Sequence, residues 1–351
     1  MSKFWSEALK RTEPYVPGEQ PSQSDILKLN TNENPYPPSP HVVEAIQAAA
    51  QQQLQRYPPP SLDYLRETIA ADQQLHKENV FVGNGSDEVL AFSFMAFFDP
   101  GRPILFPEVS YSFYPVYAQL FNIPYQEVPL TTDFRLPAEA FFQAEGGVIF
   151  PNPNAPTSVY LPLERIEAIL QHNPDQVVII DEAYIDFAEA SAVPLINTYA
   201  NLLIVQTMSK SRSLAGLRVG FALGQPELIE GLLRLKDSFN SYTVDRLAIA
   251  GAAAALEDRD YFAETTRQII ATREWFAGEL KSRGFSVLPS QTNFVFVRHP
   301  AYEAGALYEQ LKQRGIMVRH FNKPQIKDYL RITIGTQDNM KEVLAALDEL
   351  G

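Results

Sequence analysis

The amino-acid sequence predicts an α/β protein with a large domain on a mostly parallel sheet and a small α+β domain after it. The 351 residues are too many for one small core and suit two domains. Between residues 79 and 224, short apolar runs alternate with helical patterns, which is typical of parallel strands covered on both faces. After residue 284 the pattern changes to a few strands and two helices.

Residues 1–40 are predicted to form an N-terminal arm that packs on the small domain. A short helix from Ser2 to Lys10 precedes YVPGEQPSQSDILKLNTNENPYPPSP, whose prolines stiffen the chain and prevent regular structure. Ser39-Pro40 then begins a helix that the prolines of residues 56–60 end.

Residues 41–245 are predicted to form the large domain, with a seven-stranded sheet. Ser86 can cap the helix that follows the first strand. Chemistry in such sheets occurs at the carboxyl ends of the strands. The predicted strands are NVFVGNG, PILFPEV, YQEVPL, GGVIFPNP, QVVIIDEAY, NLLIVQTM and RVGFALG.

Residues 246–351 are predicted to form the small domain. About sixty residues after Pro226 read as helical and end at Gly284, a residue type common just past a helix. The stretch FSVLPSQTNFVFVRH is followed by the helix AYEAGALYEQLKQRG, by one strand IMVRHF and a second strand YLRITIGT, and by the helix QDNMKEVLAALDEL.

Composition excludes several classes of function. A formal charge of −13 argues against a nucleic-acid partner, which requires a basic surface. The absence of cysteine excludes disulfides and thiolate chemistry, and the five histidines have no metal-ligand spacing, so no metal is expected. No apolar run reaches the roughly 18 residues of a membrane span, and the start lacks a secretory pattern, so we expect a cytoplasmic protein without membrane contact.

One strand end carries a lysine in an unusual setting. The run NLLIVQTM leads to Thr207, Ser209 and Lys210, and Arg218 follows eight residues later. A lysine can bind an aldehyde cofactor covalently while hydroxyls and an arginine hold its phosphate. A solvated loop lysine is the commoner alternative for one lysine taken alone.

Other strand ends supply what a pyridine ring would need. Asp181 ends an apolar strand and could pair with a protonated ring nitrogen, although metal ligation and helix capping are open alternatives. Tyr184 could donate to a ring oxygen and Tyr111 could stack on the ring, although any single aromatic is more often a core residue. Asn154 could be a plain turn residue, and the glycine-rich 83–88 loop could bind phosphate or simply begin a helix.

Together these motifs resemble those of fold-type I aminotransferases, and within them the histidinol-phosphate aminotransferases. The resemblance extends over nearly the whole chain, and its last four motifs in this order are specific. The motifs are NENP (32–35), RYP (56–58), GNGSDE (83–88), PNAPTS (153–158), DEAY (181–184), SK (209–210) and LAGLRVG (214–220).

The resemblance implies a pyridoxal phosphate transferase fold and a set of site residues. Lys210 would bind the aldehyde, Asp181 would pair with the ring nitrogen, and Tyr184 with Asn154 would reach the ring oxygen. Tyr111 would stack on the ring. The residues implied around the phosphate are Gly85, Ser86, Asp87, Thr207, Ser209, Arg218 and, from the neighbouring subunit of a homodimer that the arm also contacts, Tyr57.

The resemblance also implies the substrates. Arg331, in LRI, would bind the carboxylate of glutamate, and together with Arg319 it would bind the phosphate of L-histidinol phosphate. Tyr15 and Asn32 would help close the pocket. Two alternatives on the same scaffold stay open: transamination of aromatic amino acids and decarboxylation of a phosphorylated amino acid.

The sequence departs from the family in two motifs. Ala155 and Ser158 replace an asparagine and a glycine of the common PNNPTG, so if the ring contact belongs to the second asparagine, this chain lacks it. Ser211 and Arg212 follow the lysine where an aromatic residue is frequent. A regulatory binding module would need a helix-turn-helix segment with a basic patch, and a dehydrogenase would need a third glycine where Glu88 stands.

Overall fold

The computed structural model describes residues 2–16, 18–20 and 26–350. Its strands account for all seven runs predicted between residues 79 and 224. The strands are β1 (Leu27–Lys28), β2 (Val80–Asn84), β3 (Ile104–Pro107), β4 (Tyr125–Val128), β5 (Val148–Pro151), β6 (Val178–Asp181), β7 (Leu202–Thr207), β8 (Val219–Gly224), β9 (Ser286–Val287), β10 (Phe294–Arg298), β11 (Ile316–Met317), β12 (Arg319–His320) and β13 (Leu330–Thr333).

Helices fill most of the sequence between these strands. Their bounds are α1 (Glu7–Arg11), α2 (Pro40–Ala50), α3 (Asp63–Gln73), α4 (Gly85–Phe97), α5 (Tyr114–Phe121), α6 (Leu163–Gln171), α7 (Pro226–Phe239), α8 (Arg246–Glu257), α9 (Arg259–Ser282), α10 (Ala304–Gln313) and α11 (Gln337–Asp348). Within the described residues, no helix is both long enough and apolar enough to cross a membrane.

The large sheet has seven strands in the order β2-β8-β7-β6-β5-β3-β4. β8 runs antiparallel to both of its neighbours, and the other pairs are parallel. This confirms the predicted α/β fold with a mostly parallel sheet. The central strands are apolar throughout because both faces are buried: Ile179 lies in one hydrophobic core and its neighbour Ile180 in the core on the opposite face.

The small domain is built on a four-stranded antiparallel sheet with the order β12-β13-β10-β9. The stretch IMVRHF, predicted as one strand, is in fact two strands in different sheets. Ile316–Met317 pairs in parallel with Leu27–Lys28 of the arm, whereas Arg319–His320 pairs with β13. The arm is therefore anchored to the small domain by backbone hydrogen bonds.

Two predicted helix starts were wrong for local reasons, and one predicted helical stretch is divided. α4 begins at Gly85 with Asn84 before it, so Ser86 lies inside the first turn rather than at its cap. The first helix begins later than predicted, at Glu7, because the Ser6 side chain accepts the Leu9 N–H. The helical stretch after Pro226 is three helices, the last two capped by aspartates.

The position of the domain boundary stays a prediction. α8 lies after residue 245, yet its buried alanines, among them Ala248 and Ala252, pack in the core beneath the large sheet with Leu65 of α3. Phe276 and Leu280 of α9 belong to the core of the small domain. The hydrophobic cores therefore divide between α8 and α9.

Candidate active site

A cavity of about 110 Å³ lies where the carboxyl ends of β6 and β7 meet the first turn of α4. It brings together most of the predicted site residues, because the carboxyl ends of neighbouring parallel strands lie at one edge of the sheet. The predicted residues that line it are Ser86, Asp87, Tyr111, Asp181, Tyr184, Thr207, Ser209, Lys210 and Arg218.

Asp181 is a buried carboxylate without a cationic partner among the described residues. Its side chain accepts hydrogen bonds from the Tyr114 hydroxyl at 3.0 Å and from the Ala183 N–H at 3.2 Å. Burial raises the pKa of Asp181 to about 6, although these two hydrogen bonds act in the opposite direction. The carboxylate is thus held in place and ready to pair with a cation inside the cavity.

Lys210 follows β7 and extends its amine toward the N-terminal arm. Its Nζ donates to the carbonyl oxygen of Thr31 at 3.0 Å. Burial, and then the positive charge of Arg331, lower the pKa of Lys210 from 10.5 to about 8. At pH 8 about half of the amine is therefore neutral, whereas an ordinary lysine would be almost fully protonated.

Tyr184 lies beside the amine, with Lys210 Nζ 5.9 Å from its ring centre. The Asn32 amide donates to the Tyr184 hydroxyl at 2.9 Å, so the hydroxyl proton is available for an acceptor in the cavity. Asn32 is itself fixed, because Thr333 bonds both its backbone N–H and its side-chain oxygen. The structure thus places Asn32 behind Tyr184 rather than in the cavity lining.

The first turn of α4 and the hydroxyls of Thr207 and Ser209 form a polar cup. Backbone N–H groups at the start of a 13-residue helix attract anions. Gly85 has a positive φ of 77°, and a Cβ there would lie 2.5 Å from Arg218 Nη2, so the arginine lies directly over the helix start. These groups could hold a phosphate.

The Asp87 side chain contacts other site residues. Its carboxylate accepts the Tyr111 hydroxyl at 2.6 Å and pairs with Arg218 Nη2 at 3.1 Å. A carboxylate repels phosphate, so only the backbone of Asp87 suits the phosphate contact predicted from the sequence. Its side chain instead positions Tyr111 and Arg218.

We expect Gly220→Ala to disrupt this cup. A Cβ at Gly220 would lie 2.3 Å from the backbone nitrogen of Ser86, and backbone cannot move aside as a flexible side chain can. The free energy of unfolding should fall by about 2 kcal/mol, as for other overpacked cores. Urea unfolding of the apoprotein measures it. Gly216→Ala, which would meet no atom within 4 Å, is the matched control, and equal stability of both variants would contradict the expectation.

Asn154 does not line this cavity. Its amide nitrogen donates to the Val109 carbonyl at 3.0 Å and to Thr157 Oγ1 at 2.8 Å, and its buried Oδ1 has no hydrogen-bond partner in the part of the chain that the structure describes. Ala155, the position of the second asparagine in the common motif, does line it. The ring contact of Asn154 therefore stays a prediction.

Arg331, on β13 of the small domain, lies near Lys210, and its positive charge helps to lower the pKa of that amine. One guanidinium nitrogen donates to the Asn30 carbonyl at 2.9 Å, and the buried Nε has no acceptor among the described residues. Burial lowers the pKa of Arg331, and the positive charge of Arg319 adds to that effect. Two neighbouring guanidinium groups that lack a described carboxylate partner can bind an anionic ligand.

A second cavity of about 600 Å³ continues from Tyr111 toward the arm and the small domain. Arg319 and Tyr15 line it, and the Tyr15 ring stacks on Phe113 at 4.4 Å. This cavity is the wider space next to the polar cup. Arg331 lines neither cavity, but Arg319, its partner across the β12–β13 pair, lines the wider one.

Tyr57 lies outside both cavities and is 77% exposed. Its ring stacks on Tyr242, with ring centres 4.5 Å apart. The buried Lys236 amine holds both loops, because it donates to the carbonyl oxygens of Pro60 at 2.8 Å and Ser241 at 3.5 Å. An exposed but rigid aromatic pair suits contact with another protein surface.

Sequence reasoning missed three contacts of the site. Tyr114, which holds Asp181, follows Tyr111 by three residues, a spacing that places both on one side of a helical turn. Asn34 belongs to the NENP motif, but nothing in that motif indicates that its amide bonds the backbone at Lys210. The Thr31 carbonyl had no sequence signal, because any residue type carries one.

Several known proteins are similar to this chain in sequence and in fold. The profile of the family Aminotransferase class I and II matches residues 24–347. Histidinol-phosphate aminotransferase 1 of Oceanobacillus iheyensis is 57% identical over 100% of this chain and 99% of its own length. Histidinol-phosphate aminotransferase of Clostridium acetobutylicum is 56% identical over 99% of both chains. The crystal structure of histidinol-phosphate aminotransferase from Sinorhizobium meliloti in complex with pyridoxal-5'-phosphate superposes with a TM-score of 0.89 at 26% identity, covering 99% of this chain and 98% of that one.

Proposed function

The chain belongs to the aminotransferase class I and II family, and from that membership we propose that it catalyses a reversible transamination. In this reaction L-histidinol phosphate and 2-oxoglutarate give imidazole acetol phosphate and L-glutamate. This is a step of histidine biosynthesis. The observation that carries the proposal is one cavity that combines Lys210, an amine of lowered pKa, with Asp181, a buried carboxylate lacking a described cationic partner. Histidinol-phosphate aminotransferases 57% and 56% identical over the full chain support the choice of substrate. The cytoplasm stays the predicted compartment.

The residues of the cavity fit pyridoxal phosphate. The Asp181 carboxylate, which has no cationic partner among the described residues, suits a protonated ring nitrogen, because a buried charge needs a partner. Tyr184 offers its hydroxyl to the ring oxygen, and the polar cup with Arg218 suits the phosphate. Lys210 supplies the amine that would bind the aldehyde.

When bound, the cofactor supplies an aldehyde for amino-group exchange and a ring that takes up charge from the reacting carbon. Asp181 stabilises the positive charge on the ring nitrogen and so favours that uptake of charge. Lys210 Nζ, neutral in a large fraction of molecules near pH 8, would accept the proton of the substrate's α-carbon and deliver it to the carbon of the cofactor's aldehyde group. The Thr31 carbonyl orients this amine from the side of the arm.

Arg331 and Arg319 are proposed to bind the anionic end of the substrate. A guanidinium fork suits a carboxylate and a phosphate equally, which lets one site accept glutamate and a phosphate ester in turn. Phe294 and Phe321, whose ring centres lie 5.3 and 5.5 Å from Arg331, restrict the orientation of that fork. Tyr15 lines the wider cavity next to Arg319.

We expect kcat/KM with 2-oxoglutarate to be at least about 100-fold higher for L-histidinol phosphate than for L-phenylalanine, because only the phosphate ester uses both arginines.

Arg331→Lys should raise KM for histidinol phosphate and for glutamate by about tenfold or more, since an ammonium cannot form the bidentate pair. Steady-state kinetics measure both. Faster turnover of phenylalanine, or release of carbon dioxide from a phosphorylated amino acid, would contradict the assignment.

The protein is proposed to act as a homodimer in which Tyr57 reaches the phosphate site of the neighbouring subunit. Support comes from the exposed, stacked pair of Tyr57 and Tyr242 outside the chain's own cavity. Tyr57→Ala and Lys210→Ala proteins should each be nearly inactive. Subunit exchange between them should recover about a quarter of wild-type activity, because half of the dimers then carry one complete site. No recovery would show that Tyr57 does not act in the partner's site.

A further inference from the structure

The arm segment 30–34 connects the anion-binding side of the site to the reactive amine. The Asn30 carbonyl accepts Arg331 at 2.9 Å, and the Thr31 carbonyl accepts Lys210 Nζ at 3.0 Å. The Asn293 side chain holds the Asn32 carbonyl at 2.9 Å. Three consecutive residues, Asn30, Thr31 and Asn32, thus bond to the small domain and to the lysine.

Asn34 makes the contact with the lysine's backbone. Its side-chain nitrogen donates to the carbonyl oxygens of Lys210 at 2.9 Å and of Ser211 at 3.0 Å. Its side-chain oxygen accepts the Tyr36 N–H at 3.0 Å, which closes a local turn of the arm. The two ends of one amide therefore do separate work: the oxygen shapes the arm, and the nitrogen holds the loop that carries Lys210.

This loop needs such support because it is irregular. Lys210 and Ser211 lie between β7 and β8, where their carbonyls have no strand partner. Partly buried carbonyls need a donor from elsewhere, and Asn34 supplies it for both. On the other side, the Ser211 hydroxyl donates to Asp186.

We propose that Asn34 is a positioning residue that fixes the Lys210–Ser211 backbone and thereby places the amine for reaction. The proposal rests on the role proposed for Lys210. The two hydrogen bonds from Asn34 fix the backbone of Lys210, and so they limit the positions that the end of its long, flexible side chain can reach in the cavity. Loss of both should slow every step that depends on the position of Nζ, while the binding of substrate to Arg331 and Arg319 should change little.

Two variants separate the two ends of the amide. Asn34→Asp keeps an oxygen for the Tyr36 N–H and loses the donor, whereas Asn34→Ala loses both. We expect both variants to take up pyridoxal phosphate about tenfold more slowly as apoprotein, and to lose about tenfold in kcat with KM within twofold, as for the loss of two neutral hydrogen bonds. Asn122→Asp, an exposed residue distant in sequence, controls for the added charge and should match the wild type.

Three outcomes would overturn the inference. If only Asn34→Ala is slow, the side chain merely shapes the arm. If only Asn34→Asp is slow, its charge acts on the amine and the lost donor does not. If neither is slow, the two hydrogen bonds are without effect. Thermal unfolding of each apoprotein establishes that the variants fold.

Reduction of the cofactor-loaded wild-type protein with borohydride, followed by peptide mass spectrometry, distinguishes failure of the inference from failure of the proposed function. Cofactor fixed at another residue would refute the role of Lys210 itself. Cofactor fixed at Lys210, at equal rates in wild type and in both Asn34 variants, would refute only the role of Asn34. We expect fixation at Lys210 in all three proteins, and slower fixation in the two variants.

Discussion

Lys210→Ala should abolish turnover, with a fall in kcat of more than about 10⁴-fold, because the same amine binds the cofactor and moves the substrate proton. The visible absorbance of the protein-bound cofactor should change as well, since no amine remains at the strand end. The structure makes this effect large: Lys210 is the amine that lines the cavity, and its lowered pKa of about 8 makes it reactive near neutral pH.

A matched pair of variants separates reactivity from charge. Lys210→Arg keeps a cation in the cavity but cannot bind an aldehyde, so it should lose as much activity as Lys210→Ala. Lys341→Ala removes an exposed lysine of α11 and should leave turnover unchanged. Turnover of Lys210→Arg within about tenfold of the wild type would show that the position needs only a positive charge, and the proposed function would then be wrong.

Asp181→Asn should reduce kcat by about 10²- to 10³-fold, the cost of removing a preorganised charge from a buried site. The substitution keeps the size of the side chain and an acceptor for the Tyr114 hydroxyl, so its effect reports the charge. Affinity for pyridoxal phosphate should fall too, because the protonated ring nitrogen loses its partner. Absorbance titration of the apoprotein with the cofactor measures this affinity.

Tyr114→Phe is the comparison for Asp181. It removes one hydrogen bond to the carboxylate and leaves the charge, so kcat should fall by only about tenfold or less. A loss as large as that of Asp181→Asn would indicate that the orientation of the carboxylate, rather than its charge, limits the reaction. Activity of Asp181→Asn equal to wild type would remove the ring nitrogen from the proposed mechanism.

The sheet was predictable because its strands carry a strong local signal. Apolar β-branched runs such as that ending at Asp181 can only be buried on both faces, and the glycines and prolines between them mark the turns. Because the carboxyl ends of parallel strands lie at one edge of the sheet, the predicted strand ends also place Lys210, Asp181 and Tyr184 close together. Both the fold and the centre of the site can therefore be predicted from the local pattern of apolar runs and from the shared carboxyl edge of parallel strands.

Contacts between distant segments could not be predicted in the same way. The bond from Asn34 to the Lys210 carbonyl joins residues 176 apart in sequence, and nothing in the residue types specifies that pairing. The division of IMVRHF between two sheets depends on the arm, which occupies one side of Ile316–Met317. Asp87 shows a different limit: its residue type predicts a polar contact, but the fold determines that Tyr111 and Arg218 are its partners.

The reversed direction of β8 has a geometric consequence for the site. In this orientation Gly220 is paired with Thr207, so Arg218 lies at the same sheet edge as Lys210. A parallel β8 would place Arg218 at the opposite edge, about 20 Å away for a six-residue strand. The lysine and the arginine thus belong to the connection of a single hairpin, β7–β8. This part of the site can therefore form during folding from residues close in sequence, before distant segments of the chain come together.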